Sequence, residues 1–324
     1  MTRVFVTGGS GFVGRALLGV LRARGDTAVA LARSDAAERV AKALGAEVAR
    51  GDLDDEEALR AGLAGCSVVY HCAAKVDDFG SPSEFERVNV VGTENVLRAA
   101  RAAGARRFVH VSTEAVLVGG PPIVRADESW PRPVHPIGEY ARTKGLAEER
   151  VIQANAPPAF ATVIVRPRFV WGRGDTTLLA RLVKAVRAGQ FAWFEGGHYL
   201  TSTCHVRNLC EGMLLAAEKG SPGAIYFLTD GPPVEFRSFV TQMLATQQVV
   251  PGSRSLPRWL ALALGGAAEG LWRWLPLPGS PPLTRAAVRL IGEEVTVDDT
   301  RARRELGYKG LVSREEGLRE LIAP

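Results

Sequence analysis

Through the first half of the chain, short apolar runs alternate with stretches whose apolar positions recur every three to four residues. Residues 4–7, 28–31, 47–50, 68–72, 108–112 and 161–165 carry the runs and predict strands; residues 15–24, 36–44, 56–63, 85–103 and 140–155 carry the longer period and predict helices. Strands this apolar need cover on both faces, so the alternation predicts an α/β fold with a doubly wound parallel sheet. A ligand is then expected beyond the carboxyl ends of the strands. From about residue 172 the rhythm breaks into shorter helices, Pro/Gly turns and aromatic-rich stretches. The expectation is a first domain over residues 1–171 and a smaller, partly interleaved substrate-binding region over 172–324. At 324 residues and 46% apolar composition the chain has material for one large core and a smaller one.

The first strand runs straight into Thr7-Gly8-Gly9-Ser10-Gly11-Phe12-Val13-Gly14. In such a turn Gly8 permits the tight reversal, Gly11 lets a ligand approach the backbone, and Gly14 lets the following helix pack closely on the strand. The helix then offers its free N–H groups and positive dipole end to a pyrophosphate. The spacing is Gly-x-x-Gly-x-x-Gly rather than Gly-x-Gly-x-x-Gly, so the turn alone does not settle the ligand. A Rossmann-type nucleotide-binding domain is the reading it favours.

Charge and cysteine usage narrow the classes. The formal net charge of +5 comes from scattered arginines, without the basic run and interleaved aromatics that track a nucleic-acid backbone, so no nucleic-acid partner is expected. Cys66, Cys72, Cys204 and Cys210 lack chelating spacing, and neither a metal nor a disulfide is expected. A glycine turn this close to the first residue leaves no room for a cleaved leader, which predicts a cytoplasmic protein.

After the second predicted strand stands Ala32-Arg33-Ser34, where a carboxylate would accept from the adenosine ribose of NAD. Arg33, with Arg15, could instead pair with a 2′-phosphate, which favours NADP(H) over NAD(H); two solvated surface arginines are the alternative. Asp52, in Gly51-Asp52-Leu53, is placed to accept from the adenine amino group or, equally, to cap the next helix.

Tyr140 and Lys144 lie four residues apart on one helical face. A unit charge about 4 Å from the phenol, at an effective dielectric of about 20, is worth roughly 4 kcal/mol or about three pKa units, enough to bring its proton exchange near neutral pH. Upstream, Ser112 and Thr113 end a predicted strand at the ligand edge, where a hydroxyl could hydrogen-bond the same substrate oxygen.

These motifs, with Cys72-Ala73-Ala74, Asn89-Val90-Val91-Gly92-Thr93, Arg166-Pro167-Arg168 and the late Pro281-Pro282-Leu283-Thr284-Arg285, follow the order and spacing of extended short-chain dehydrogenases/reductases. The chain most resembles their 3β-hydroxysteroid dehydrogenase branch, which includes sterol 4-carboxylate 3-dehydrogenases and 2-alkyl-3-oxoalkanoate reductases, and the resemblance runs over essentially its whole length. It implies Tyr140 as general acid/base, Lys144 as the group that lowers its pKa and binds the nicotinamide ribose, and Thr113, or less readily Ser112, as the hydroxyl that orients the substrate. The implied cofactor contacts are Thr7 to Gly14, namely Thr7, Gly8, Gly9, Ser10, Gly11, Phe12, Val13 and Gly14, then Arg33, Asp52, Leu53, Ala73, Ala74, Lys75, Pro167 and Arg168. Related enzymes dimerise through helices matching residues 85–103 and 140–155, which implies a homodimer. Glu114 and Arg207 depart from the usual pattern and leave the substrate open.

Residues 257–276 form the most apolar stretch, with three of the six tryptophans. Their uncharged core is too short to span a bilayer. A lid over a hydrophobic substrate, a peripheral membrane contact and a plain core helix are its three readings. Phe191, Trp193, Phe194 and Tyr199 are expected to line the same pocket; His198 and His205 are read as structural. The expected activity is NAD(P)-dependent interconversion of hydroxyl and ketone on a small hydrophobic 3-hydroxy/3-oxo substrate. Nucleotide-sugar epimerase or dehydratase, and a non-catalytic dinucleotide-binding protein, are the alternatives.

Overall fold

The computed structural model describes residues 1–175, 178–275 and 277–322. Its centre is a seven-stranded parallel sheet. The chain enters through β1 (Arg3–Thr7), α1 (Phe12–Ala23), β2 (Thr27–Ala32), α2 (Asp35–Ala43), β3 (Glu47–Arg50), α3 (Glu56–Leu63) and β4 (Val68–His71). It continues through a short helix, α4 (Pro82–Phe85), a π-helical turn (Glu86–Val91), α5 (Gly92–Ala102), β5 (Arg107–Val111), β6 (Ile123–Ala126), α6 (Glu139–Gln153) and β7 (Ala161–Pro167). In space the order is Ile225–Leu228, β7, β5, β4, β1, β2, β3. The direction of winding therefore reverses between β1 and β4, and the crevice beyond their carboxyl ends is the expected ligand site.

Two apolar clusters cover the two faces. One packs Leu17, Leu18 and Leu21 of α1 with Met213 and Leu214 of the helix Val206–Lys219 against Val6, Val109 and Val165. The other packs Leu59 and Leu63 of α3 with Val96 and Leu97 of α5 against Phe5, Val69, Phe108 and Ile164. The six expected strands are all present. The long helix expected over 85–103 is instead divided at the π-helical turn, which widens the backbone at Asn89.

Segments distant in sequence share sheets in both directions. Strand Ile225–Leu228 and helix Val206–Lys219 come from beyond residue 171 yet complete the large sheet, while β6 joins a four-stranded sheet with Val295–Val297, Leu200–Thr201 and Val234–Glu235. Buried residues between Phe169 and Val249 form a further, aromatic-rich core. Trp193 is 1% exposed and packs with Phe191 and Phe236; Phe236 and Phe239 also pack on Phe169. The expected pocket-lining role of Trp193 is corrected: it fills this core. His205 is structural, accepting from the Arg207 N–H at the start of its helix and packing on Trp171. Arg207 pairs with Glu320 (2.6 Å), on the C-terminal helix Arg314–Ile322.

Candidate active site

At the cofactor end, Gly8 sits at φ +70°, and a Cβ there would come within 2.7 Å of the Ala73 nitrogen at the end of β4. On Gly14 it would lie 2.1 Å from the Gly8 carbonyl oxygen, so α1 can seat against the turn only without a side chain at that position. Gly11 is exposed, and its face is open apart from that same carbonyl. It begins α1 without any side chain accepting the first N–H groups and without an acidic residue in the first turn. Ser10 is exposed, Phe12 and Val13 are half-buried, and Gly9 is buried against Ala30 and Leu18. A bent backbone, an approachable Gly11 and an uncapped positive helix end fit a dinucleotide's pyrophosphate.

Several expected contacts lie differently. Thr7 is wholly buried; its hydroxyl accepts from the Ala73 N–H (3.2 Å) and donates to His71 Nδ1 (2.7 Å). His71 Nε2 in turn donates to Thr93 (2.9 Å), whose hydroxyl donates to the Asn89 carbonyl (2.7 Å). This assignment gives every proton in the chain one acceptor. Burial, and then the Lys144 charge, holds His71 down to about 3, so the imidazole is neutral. The Leu53 side chain belongs to the core, and Asp52 accepts its own neighbour's N–H (2.8 Å) while Asp55 caps α3. Lys75 turns its ammonium to Asp77 (2.9 Å) and Glu84 (3.2 Å), and the Asn89 side chain holds its backbone on both sides. Ala73 and Ala74 are half-buried at the end of β4. Arg33 is exposed and makes no hydrogen bond or ion pair among the described residues.

At the chemical end, α6 carries Tyr140 and, one turn later, Lys144. The Lys144 ammonium donates to the Val111 carbonyl (2.8 Å) and to His110 Nε2 (3.0 Å), and burial lowers its pKa to about 8. His110 is also held neutral by burial, with its ring stacked on His71. The Ser112 hydroxyl is buried without a partner among the described residues, whereas Thr113 lies against Tyr140 and caps the short turn Glu114–Leu117 by accepting from the Ala115 N–H (3.1 Å). The expected drop in the Tyr140 pKa is reversed. Burial and then the Glu114 charge push it up, Thr113 opposes them, and Asp78 adds to the rise. The reason is geometric: the ammonium is turned toward His110 and Val111 while the phenol faces carboxylates.

Tyr140 lines a small pocket with Asp78, Ala115, Val118, Ile137, Ala286 and Leu290. Pro167 is buried at the end of β7. Arg168 does not present itself as a free cofactor contact: it is buried, pairs with Glu114 (2.7 Å) and donates to the Leu290 carbonyl (2.6 Å). Sequence reasoning missed Asp78, Ala115, Val118, Ile137, Ala286 and Leu290. Ala115, Val118 and Ile137 had a signal in lying within five residues of Thr113 or Tyr140.

The arrangement can move a proton at an oxygen beside a small cleft that is carbon-lined apart from Asp78, and the same chain carries a turn shaped for a dinucleotide. Residues 5–258 match the family model for 3-beta hydroxysteroid dehydrogenase/isomerase. The chain belongs to that family. It is 52% identical to a 4-hydroxy-2-methyl-3-oxo-4-farnesyl-3,4-dihydroquinoline-1-oxide ketoreductase of Stigmatella aurantiaca, over 98% of this chain and 94% of the relative. It is 37% identical to a 2-alkyl-3-oxoalkanoate reductase of Stenotrophomonas maltophilia, over 99% and 98%. Among solved structures it is similar to that of gox2253, with a TM-score of 0.79, 27% identity and coverage of 99% and 97%. A dTDP-glucose 4,6-dehydratase from Streptomyces venezuelae with NAD bound shares the fold, with a TM-score of 0.78 at 23% identity and coverage of 99% and 96%. The chain is a nicotinamide-dependent oxidoreductase acting between CH–OH and C=O groups.

The helix Arg258–Trp274 packs on the helix Arg285–Ile291 through Gly265, against the Thr284 and Arg285 backbone, and through Glu269, which accepts from Arg285. Its outer face stays exposed, with Trp259 at 70% and Trp274 at 88%. Pro276 lies outside the described residues. Among the described residues no helix is long and apolar enough to cross a membrane.

Proposed function

We propose that this chain reduces the ketone of an apolar 2-alkyl-3-oxo or sterol-like 3-oxo compound, runs the reverse oxidation, and prefers NADP(H). The observation that carries this reading is the 52% and 37% identity to the two 3-oxo reductases above, with a narrow cleft of about 10 Å³ at Tyr140, to be opened by a substrate, whose walls are Ala115, Val118, Ile137, Ala286 and Leu290 beside the single carboxylate of Asp78. Walls that are carbon apart from one carboxylate suit an alkyl or ring skeleton better than the many hydroxyls of a sugar. When bound, a nicotinamide supplies or accepts the hydride. Tyr140 gives a proton to the substrate oxygen in reduction and takes it back in oxidation, and Thr113, whose proton is held by Glu114, orients the hydroxyl form of the substrate by accepting from it. Lys144 has an N–H beyond those directed at His110 and Val111, and would hold the nicotinamide ribose.

The cofactor preference rests on Arg33, an exposed guanidinium where a ribose-binding carboxylate would stand. A cytoplasmic protein suits the four free thiols. A homodimer is proposed on the exposed Val91 and Ile152 of the helical layer that holds α5 and α6, and a peripheral membrane contact on the outer face of Arg258–Trp274.

The test is NADPH oxidation against 2-alkyl-3-oxo acids, sterones and nucleotide sugars, with NADH in parallel. Turnover of the ketones is expected. Turnover of the sugars alone would overturn the reading.

A further inference from the structure

Glu114 and Arg168 form one of two buried Arg–Glu pairs whose arginines stand two residues apart. In the other, Glu148 gives both oxygens to Arg166 (2.8 and 2.6 Å), tying α6 to β7. Glu114 divides its carboxylate. Oε1 accepts from Arg168 (2.7 Å), and Oε2 accepts from the hydroxyl of Thr113 (2.9 Å). Arg168 is fixed in turn by the Leu290 carbonyl (2.6 Å), on the helix that also walls the Tyr140 pocket. Both side chains of the pair are about 5% exposed or less.

A hydroxyl has one proton. With that proton on Glu114 and the Ala115 N–H donating to its oxygen, Thr113 meets the phenol or a substrate hydroxyl as an acceptor. Burying two charges beside the reacting oxygen is costly, and a well-packed neutral pair would hold the fold as well. What the carboxylate adds is a choice of hydrogen-bond direction.

We propose that the Glu114–Arg168 pair is a positioning unit that draws the Thr113 proton away from the reacting oxygen and so keeps Tyr140 in its proton-donating form, setting the site for carbonyl reduction over a wide alkaline range. The proposal deepens the reductase reading and rests on it. Once Tyr140 has given its proton to the substrate oxygen, the Thr113 proton can turn from Glu114 to the phenolate. Glu114 is not a catalytic residue, since it acts through Thr113. The other charges facing the phenol are accounted for: Asp78, after β4, is paired with Arg181 (2.8 Å), and Lys144 is turned to His110. Helix Arg285–Ile291 faces it with Ala286 and Leu290. The rise that Glu114 imposes on the Tyr140 pKa has the direction this geometry demands.

The test is an ultraviolet difference titration of phenolate in the free protein, with Tyr140→Phe identifying the Tyr140 component, alongside the pH profile of ketone reduction. In Glu114→Gln both the phenolate midpoint and the alkaline limb of reduction are expected to move to lower pH by about one unit. The double variant Glu114→Gln/Arg168→Met removes both charges, guards against a misfolded single variant, and is expected to move the same way. A double variant with a cooperative melt and an unmoved phenolate midpoint would overturn the proposal while leaving the reductase reading intact. A shifted midpoint in a protein that turns over no ketone would overturn the reductase reading alone.

Discussion

The two ends of the cleft are built on opposite terms. Around Gly11 and Arg33 the polar groups are open: the first turn of α1 is uncapped, and an exposed guanidinium has no partner among the described residues. Around Tyr140 and Lys144 most polar groups are engaged within the protein, down to the single proton of Thr113. The glycine-turn end is thus open to an anion, whereas the Tyr140 end is set beforehand by hydrogen bonds within the protein.

The largest expected effect separates the two ends directly. Tyr140→Phe should lower kcat by about 10²–10⁴-fold while leaving the NADPH dissociation constant nearly unchanged. A parallel loss of cofactor affinity would show that the ends are not independent. Between them lies the neutral floor of His71 and His110. The folded protein holds the His71 pKa at about 3, well below the usual histidine value. The unfolded chain therefore binds more protons between about pH 6.5 and 3, and stability falls as pH drops through that window. His71 alone should cost on the order of 4 kcal/mol by the acid end, read as a falling midpoint in chemical denaturation. A flat stability profile from pH 7 to pH 4 would mean the floor is wetter than the structure shows. The smallest effect belongs to the open end: Arg33→Asp should shift the ratio of kcat/KM for NADPH over NADH by about tenfold toward NADH, with the melting temperature unmoved.

The division between ends also marks what could be read from residues alone. The strands and the glycine turn were legible because period and glycine spacing are local properties, and Gly8 and Gly14 stand where backbone contact forbids a side chain. Tyr140 and Lys144 were legible as a pair on one helical face, but the direction of the phenol's pKa was not. That direction depends on where the ammonium turns, and His110, 34 residues away, draws it off. The family resemblance implied Lys75 and Arg168 as cofactor contacts; their acidic partners showed only once the chain was folded. Leu290 reached the pocket from 150 residues beyond Tyr140, with no sequence pattern to announce it.

The strand Ile225–Leu228 lies beside β7 at the margin of the large sheet, yet 57 residues separate its first residue from Pro167, the end of β7. During synthesis β7 therefore waits with an unpaired edge until residue 228 has left the ribosome, and a shortened product ending before it would expose that edge to aggregation. The large sheet is finished only when Ile225–Leu228 has been made.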